Sequence, residues 1–346
     1  MKRINWIPVY FFIVSFSVTS ALHRFAPLSN SIFQSSVRAP KLIHRTSIST
    51  THLNVALSND DFRSEKDKQV ELTLSTPVRY SPLHMKFKGK ILTLWGIFYA
   101  AIILTCSLIS LPLMMVFTAL AELAGNGKRR RLNDWVVHWW AKLSLLLAGC
   151  RPRLLGASLL PPPGQTVVYV PNHTSYFDIL LLSGFVPRPF KYLSKSEILD
   201  IPVVGTGMRL AKHVFLKRND IRSTIEVADT CVQRLQDGNS MVLFAEGTRS
   251  LDGTLKKFKK GAFQMAKAAG VPVVPVSIGN LHRWMPPFSI LPLAPIRHTY
   301  IKVHPAIDTT NKSVREIKKL CFEAVNSGLP QYQQYNGAKD AKETDE

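Results

Sequence analysis

The 346-residue chain has few acidic residues, with 23 Asp and Glu against 44 Lys and Arg, and its formal net charge is +21. Only 19% of its residues are charged and 46% are hydrophobic, which excludes a disordered or fibrous protein. Its mean hydropathy of +0.05 is high for a soluble enzyme. A chain this basic requires an anionic partner, and nucleic acid and anionic lipid are the two classes that offer phosphate-bearing surfaces.

Cysteine is also scarce. The four cysteines lie far apart in the sequence, which excludes zinc-ribbon spacing and gives no sign of a disulfide framework. We therefore predict four buried free thiols, namely Cys106, Cys150, Cys231 and Cys321.

The sequence also shows no internal repeat, no RNP-like run and no basic stretch interleaved with aromatics, so a nucleic-acid module is disfavoured.

The first 57 residues have the composition of targeting segments. A basic start, an apolar run from Val9 to Val18 and small residues up to Ala21 predict a signal peptide over 1–21. A permanent anchor is the alternative, but ten helical residues span about 15 Å against a bilayer core of about 30 Å. Residues 22–57 contain no Asp or Glu and many Ser and Thr, which is typical of a transit peptide, with a disordered tail as the alternative.

This double leader resembles that of algae with complex plastids. It predicts a plastid membrane of the algal type as the location, with the endoplasmic reticulum membrane as the alternative. Residues 58–90 are interpreted as a linker.

A 31-residue run without any charged residue, Ile91 to Ala121, follows the linker and is long enough to span a bilayer. Pro112 interrupts this run, so a single tilted span and a helical hairpin in one leaflet both remain open. The basic cluster Lys128–Arg131 comes next. It is followed by apolar side chains at helical spacing, Trp135, Trp139, Trp140, Leu143 and Leu147. We predict a membrane-associated helical segment over 91–148; packing of these aromatics on the catalytic part is the alternative.

The remainder, residues 149–330, alternates between strand-like and helical patterns. Strands are predicted at Thr166–Val170, Val214–Leu216, Met241–Phe244, Val273–Ser277 and Tyr300–Val303. Helices are predicted at Ile221–Gln236, Lys259–Ala269 and Val314–Val325. This alternation predicts an α/β fold with a mainly parallel central sheet flanked by helices, in which ligands bind where strands end. Residues 331–346 are interpreted as a loosely ordered polar tail.

The first candidate chemistry follows the predicted strand that ends at Val170, in the sequence Asn-His-Thr-Ser-Tyr-Phe-Asp (172–178). An aspartate five residues after a histidine can contact one ring nitrogen if the chain turns from a loop into a helix. The other nitrogen of His173 is then free to act as a general base, with Asp178 holding the ring. On the spacing alone, a purely structural histidine is the alternative.

A second candidate follows the predicted strand that ends at Phe244, in the sequence Phe-Ala-Glu-Gly-Thr-Arg-Ser (244–250). It places the carboxylate of Glu246, the flexible Gly247 and the guanidinium of Arg249 at a strand end. Arginine binds phosphate oxygens with two parallel hydrogen bonds, and glycine lets the backbone approach a ligand closely. The alternative is a surface turn in which Glu246 and Arg249 pair with each other.

Four motifs in sequence order resemble those of the glycerolipid acyltransferase family. They are residues 172–178, Phe-Leu-Lys-Arg at 215–218, residues 244–250, and Val-Pro-Val-Val-Pro-Val at 271–276. The segments 195–205 and 258–263 between them are also similar to the family. Ala245 stands where the family usually has Pro, and Lys217 stands where it often has Asp. The Lys217-Arg218 pair resembles the plastid subgroup of 1-acylglycerol-3-phosphate acyltransferases.

The resemblance implies that an acyl chain moves from acyl carrier protein or coenzyme A to the sn-2 hydroxyl of lysophosphatidate, giving phosphatidate. His173 is the implied base and Asp178 its partner, with direct attack on the thioester and no acyl-enzyme. No cofactor and no metal is expected, and the acyl thioester is a co-substrate. The substrate-binding residues that the resemblance implies are Asn172, Lys217, Arg218, Glu246, Gly247, Thr248 and Arg249.

Two alternative functions remain at this stage. One is another acyltransferase of the same family, acting on glycerol 3-phosphate or a different lysolipid, because the motifs bind parts that these substrates share. The other is a basic membrane-bound scaffold without activity. The expected partners are lysophosphatidate, the acyl thioester and membrane lipid, and nucleic acid is not among them.

Overall fold

The computed structural model describes residues 84–87, 90–125, 130–201, 203–217, 221–287, 289 and 291–337. The predicted signal peptide, the transit-like segment and most of the linker lie outside these residues. So do Lys128, Arg129 and the candidate site residue Arg218.

A seven-stranded mixed sheet forms the centre of the protein. A small hairpin of β1 (His84–Phe87) and β2 (Lys90–Thr93) precedes it. The sheet strands are β3 (Arg153–Leu155), β4 (Val168–Pro171), β5 (Lys191–Lys195), β6 (Val214–Leu216), β7 (Met241–Val242), β8 (Val273–Gly279) and β9 (Tyr300–Val303), in the spatial order β3-β9-β8-β4-β7-β5-β6. The five strands from β8 to β6 are parallel, while β9 is antiparallel to β8 and parallel to β3. The predicted mainly parallel sheet is confirmed.

Helices cover both faces of the sheet. They are α1 (Leu94–Leu123), α2 (Arg131–Leu147), α3 (Asp178–Phe185), α4 (Val204–Leu210), α5 (Ile221–Gln236), α6 (Gly261–Ala268), the single turn α7 (Leu281–Trp284) and α8 (Val314–Ser327). Short 3₁₀ turns lie at Ala157–Leu159, Ser196–Asp200 and Gln331–Gln333. The predicted bounds of α5 are confirmed, and those of α6 and α8 are within two residues.

Alternate residues of the central strands enter two separate cores, as the two-residue period of a strand requires. Tyr169 and Val274 point into a core that also contains Tyr99 of α1, Leu145 of α2 and Leu181 of α3. On the opposite face, Val168, Val170 and Val273 pack against side chains of α5, α6 and α8. The long apolar helix α1 is therefore part of the domain that carries the sheet.

Helices α1 and α2 form an antiparallel hairpin that is held by side-chain hydrogen bonds. Trp140 donates its indole N–H to Ser107 Oγ at 3.0 Å, and the amide of Asn133 donates to Thr118 Oγ1 at 2.8 Å. Helix α1 continues through Pro112 without a break. A hairpin therefore exists, but its turn follows the apolar run and does not lie at Pro112.

Two details of the predicted membrane segment need correction. Trp140 is partly buried against α1, so it does not share the exposed face of Trp135 and Trp139. Arg130 is only 6% exposed and forms an ion pair with Glu122, while Arg131 donates to the carbonyl of Gly238. An arginine buried beside a carboxylate cannot also meet a lipid headgroup, so the predicted basic cluster loses Arg130.

The first residues of the predicted polar tail, 331–346, pack on the domain. Gln333 is fully buried, and its side chain accepts from the backbone N–H of Asn280 at 2.7 Å. The backbone carbonyl of Gln333 accepts from the N–H of Leu255 at 2.8 Å. Gln333 thus packs within the domain and supports the loop that follows β7.

Candidate active site

The site lies at the carboxyl end of β4, where the chain passes through a short loop into α3. Asp178 is the first residue of α3 and is fully buried. Its Oδ2 accepts hydrogen bonds from the backbone N–H groups of Thr174 at 2.8 Å and Ser175 at 2.9 Å. These bonds, together with the favourable position of a carboxylate in the first turn of a helix, fix Asp178 before any substrate arrives.

His173 is brought to this carboxylate by the same loop. Its Nδ1 lies 2.8 Å from Asp178 Oδ2, which places the proton on Nδ1 and leaves Nε2 as the basic nitrogen. The ring stacks on Phe244, with centroids 3.9 Å apart and planes 25° from parallel. The side chain is 17% exposed, so its free edge can still be reached. Among the described residues, Nε2 has no hydrogen-bonding partner.

The loop after β7 holds the backbone of His173 from both sides. Glu246 Oε1 accepts the N–H of His173 at 2.6 Å, and the N–H of Ser250 donates to the carbonyl of His173 at 2.8 Å. The second oxygen of Glu246 accepts the N–H of Lys256 at 3.1 Å. Burial raises the pKa of Glu246 to about 8, although the two hydrogen bonds by themselves lower it. Glu246 is only 3% exposed, so it positions the base and does not present its carboxylate to a substrate as the sequence indicated.

Arg249 of the same loop lies flat against an aromatic ring. Its Cζ is 3.4 Å from the ring centroid of Tyr176, which is itself 47% exposed. The Nη1 of Arg249 is buried and, in the part of the chain that the structure describes, has no hydrogen-bond partner. Both oxygens of Glu246 accept backbone N–H groups and the guanidinium of Arg249 lies over Tyr176, so the alternative of a Glu246–Arg249 pair is wrong.

Gly247 takes a conformation that favours glycine, with φ of +76°, and its N–H donates to the carbonyl of Phe244 in a turn. A Cβ atom at this position would lie 3.1 Å from Nζ of Lys259. The Lys259 ammonium thus lies beside the backbone of Gly247, while Thr248 is exposed next to it. The sequence placed Lys259 at the start of a predicted helix and in the segment 258–263 that resembles the family, and only that resemblance pointed to a functional role.

Two other predicted site residues are placed differently. Asn172 is fully buried, and its amide both donates to the carbonyl of Ile278 at 3.1 Å and accepts the N–H of Ile278 at 2.7 Å. It ties the loop of residues 172–177 between β4 and α3, named the catalytic loop below, to β8. Lys217 is exposed just after β6, three strands from β4 or about 14 Å at the usual strand spacing. Arg218 lies outside the described residues.

Two aromatic contacts were missed by the sequence reasoning. Phe244 was identified as the last residue of a predicted strand and the first of the motif 244–250, and Tyr176 as part of the motif 172–178. Neither pattern indicates what an aromatic ring will stack on, because both contacts join segments about 70 residues apart.

Comparison with known proteins agrees with this geometry. The profile of the Acyltransferase family matches residues 154–279, which contain β4, the catalytic loop and the loop after β7. A 1-acyl-sn-glycerol-3-phosphate acyltransferase of Chlamydomonas reinhardtii is 38% identical over 225 residues, covering 64% of this chain and 67% of that protein. The chain belongs to the acyltransferase family.

Two further relatives of this acyltransferase add detail. The chloroplastic 1-acyl-sn-glycerol-3-phosphate acyltransferase of Brassica napus is 38% identical over 158 residues, or 46% of this chain and 45% of that protein. The crystal structure of the 1-acyl-sn-glycerophosphate acyltransferase PlsC from Thermotoga maritima has the same fold. Its TM-score is 0.56 at 24% identity, over 67% of this chain and 94% of that one.

Proposed function

We propose that this acyltransferase is a 1-acylglycerol-3-phosphate O-acyltransferase that converts lysophosphatidate to phosphatidate. The observation that carries the proposal is the 2.8 Å contact between His173 Nδ1 and a preorganised Asp178. It leaves a basic nitrogen next to a loop with phosphate-binding donors. The names of the relatives in Chlamydomonas reinhardtii and Brassica napus support lysophosphatidate as the acceptor.

In the proposed reaction, His173 Nε2 removes the proton of the sn-2 hydroxyl, and the resulting oxygen attacks the thioester carbonyl carbon. Asp178 stabilises the imidazolium that forms. When the tetrahedral intermediate collapses, the carbon–sulfur bond breaks and the proton on Nε2 passes to the leaving thiolate. The chain needs no acyl-enzyme for this sequence and no cofactor other than the acyl thioester.

The acceptor phosphate is proposed to bind on the cationic side of the loop after β7. Arg249 supplies a guanidinium with an unused buried donor, and Lys259 supplies an ammonium beside Gly247. Thr248 is exposed on the same loop and can donate its hydroxyl. Lys217 and Arg218 remain proposed substrate ligands on the motif resemblance alone.

The protein is proposed to meet its lipid substrate at a membrane surface. Helix α1 is long and apolar enough to cross a bilayer, yet hydrogen bonds to α2 hold it against the domain. A helix tied along its side to a globular domain is better suited to lie in one leaflet than to cross both. The exposed apolar side chains of the two helices include Leu108, Ile109, Val116, Leu120, Leu132, Trp135, Trp139, Leu143 and Leu147.

Location and donor belong to the same proposal. The predicted double leader and the chloroplastic relative of Brassica napus support a plastid membrane. The donor is proposed to be the acyl thioester of acyl carrier protein or of coenzyme A, and both are to be tested.

An acyl-transfer assay tests the proposal. Protein from Ser58 onward is given acyl carrier protein and coenzyme A thioesters, each with lysophosphatidate, glycerol 3-phosphate and lysophosphatidylcholine. We expect product only with lysophosphatidate. Preferred acylation of glycerol 3-phosphate or of lysophosphatidylcholine would overturn the acceptor assignment, and the absence of transfer to any acceptor would overturn the activity.

A further inference from the structure

We propose that Tyr176 is a positioning residue that orients Arg249 for the acceptor phosphate, an inference that rests on the proposed function. The ring and the guanidinium are stacked, with Cζ 3.4 Å from the ring centroid. Tyr176 belongs to the catalytic loop, between His173 and Asp178, whereas Arg249 belongs to the loop after β7. The stack therefore joins Arg249, the proposed phosphate ligand, to the loop that carries His173.

The geometry of the stack determines which atoms of Arg249 remain available. All five N–H donors of a guanidinium lie in its plane, so a ring that covers one face leaves the edges free. Nη1 of Arg249 is buried and has no hydrogen-bond partner among the described residues. An arginine held flat in this way loses less freedom when two of its donors meet two phosphate oxygens.

The backbone on either side of Arg249 is also fixed to the catalytic loop. Glu246 accepts from the N–H of His173, and Ser250 donates to its carbonyl. These hydrogen bonds fix the backbone position of Arg249, but its long side chain can still rotate about several torsion angles. Tyr176 restrains the far end of that side chain, so it controls the distance between the bound phosphate and the basic nitrogen of His173.

The inference is tested by a graded series at position 176 with a soluble acceptor. Tyr176→Trp and Tyr176→Phe keep an aromatic face, while Tyr176→Leu removes it. The acceptor is a lysophosphatidate with a short acyl chain, used below its micelle concentration so that membrane binding does not enter. Leu251→Ser, which changes an exposed apolar side chain of the neighbouring loop, is the matched control.

We expect Tyr176→Leu to raise the acceptor KM about 3- to 30-fold, with kcat and the donor KM within about twofold of the wild type. The Trp and Phe variants and the control should keep the wild-type acceptor KM within about twofold. A purely structural role would instead lower kcat or change both KM values, and either result would overturn the inference. So would an unchanged acceptor KM in the Leu variant.

A double-mutant cycle separates this inference from the proposed function. Arg249→Ala should raise the acceptor KM about 10- to 100-fold, and adding Tyr176→Leu should then have no further effect. If Arg249→Ala raises the acceptor KM but Tyr176→Leu adds its full effect on top, only the positioning role fails. If Arg249→Ala leaves the acceptor KM unchanged, the phosphate site of the proposed function fails, and the role of Tyr176 fails with it.

Discussion

At the scale of single residues, the site combines a hydrogen-bonded pair, which the sequence spacing predicts, with supporting contacts that the spacing does not predict. The five-residue spacing of His173 and Asp178 is local, so a loop that enters a helix is enough to bring them together. Phe244, which stacks on the His173 ring, comes from a segment about 70 residues away. A contact of that kind depends on strand order, which no local pattern contains, and the burial of Asn172 has the same origin.

Replacing the base should abolish transfer without unfolding the protein. We expect His173→Ala to lower kcat by at least about 10²–10⁴-fold, because a positioned base contributes that much. Asp178→Asn should cost less, since an amide can still orient the ring but stabilises the imidazolium poorly. Single-turnover assays give the rates, and circular dichroism checks the fold. Normal turnover by folded His173→Ala protein would refute the mechanism.

Glu246 should make the stability of the protein depend on pH. Its pKa is raised from 4.5 to about 8, so the folded state keeps a proton that the unfolded chain loses above about pH 4.5. The contribution of protonated Glu246 to the free energy of unfolding is fully present below about pH 4.5 and is lost as pH rises through 8. Glu246→Gln stays neutral at every pH. Urea unfolding should therefore show the wild type losing stability relative to this variant between pH 5 and pH 8.5; a constant difference would contradict the raised pKa.

At the scale of elements, the patterns predicted five strands of the seven-stranded sheet but missed β3 and β5. The sequence of β5, Lys-Tyr-Leu-Ser-Lys, begins and ends with a charge and does not have strand composition. Lys191 is nevertheless buried, because its ammonium pairs with Asp134 of α2, 57 residues earlier in the chain. Burial raises the pKa of Asp134 to about 6 and lowers the pKa of Lys191, while the charge of each partner acts against the shift of the other. Asp134 makes the burial of Lys191 tolerable, and this pairing can be recognised only when the position of α2 beside the sheet is known.

Helix α2 should bind membranes through its exposed tryptophans. Trp135 is 54% exposed and Trp139 48% exposed, on the face that points away from the core. We expect the double change Trp135→Ser and Trp139→Ser to weaken sedimentation with lipid vesicles while the melting temperature stays within a few degrees. Ile225→Ser on α5, which is also exposed, is the matched control. Equal loss of binding in both proteins would argue against a specific docking face.

At the scale of the whole molecule, the membrane-associated segment and the catalytic domain that the sequence separated at residue 148 share one core. Tyr99 of α1 is fully buried, and its ring meets Phe177 of the catalytic loop edge-on at 5.9 Å. The backbone N–H of Ile296 also faces the Tyr99 hydroxyl, at 3.5 Å. The apolar composition of α1 serves a buried face towards the sheet and an exposed apolar face, for which lipid is the proposed partner. Hydropathy alone cannot separate them, since both demands favour the same residue types.

A chain that begins at Gly149 should therefore fail to fold, and not merely fail to reach membranes. This shorter chain lacks α1 and α2. The core therefore loses Tyr99, Leu145 and Ala148, and the apolar side chains of α3 are uncovered. We expect the near-ultraviolet circular dichroism of a folded core to be lost, together with activity on a short-chain acceptor in solution. A chain that begins at Ser58 keeps both helices and should retain both signals. If the shorter chain stays folded and acylates the soluble acceptor at the full rate, α1 and α2 serve membrane binding alone, and the shared core contributes little to stability.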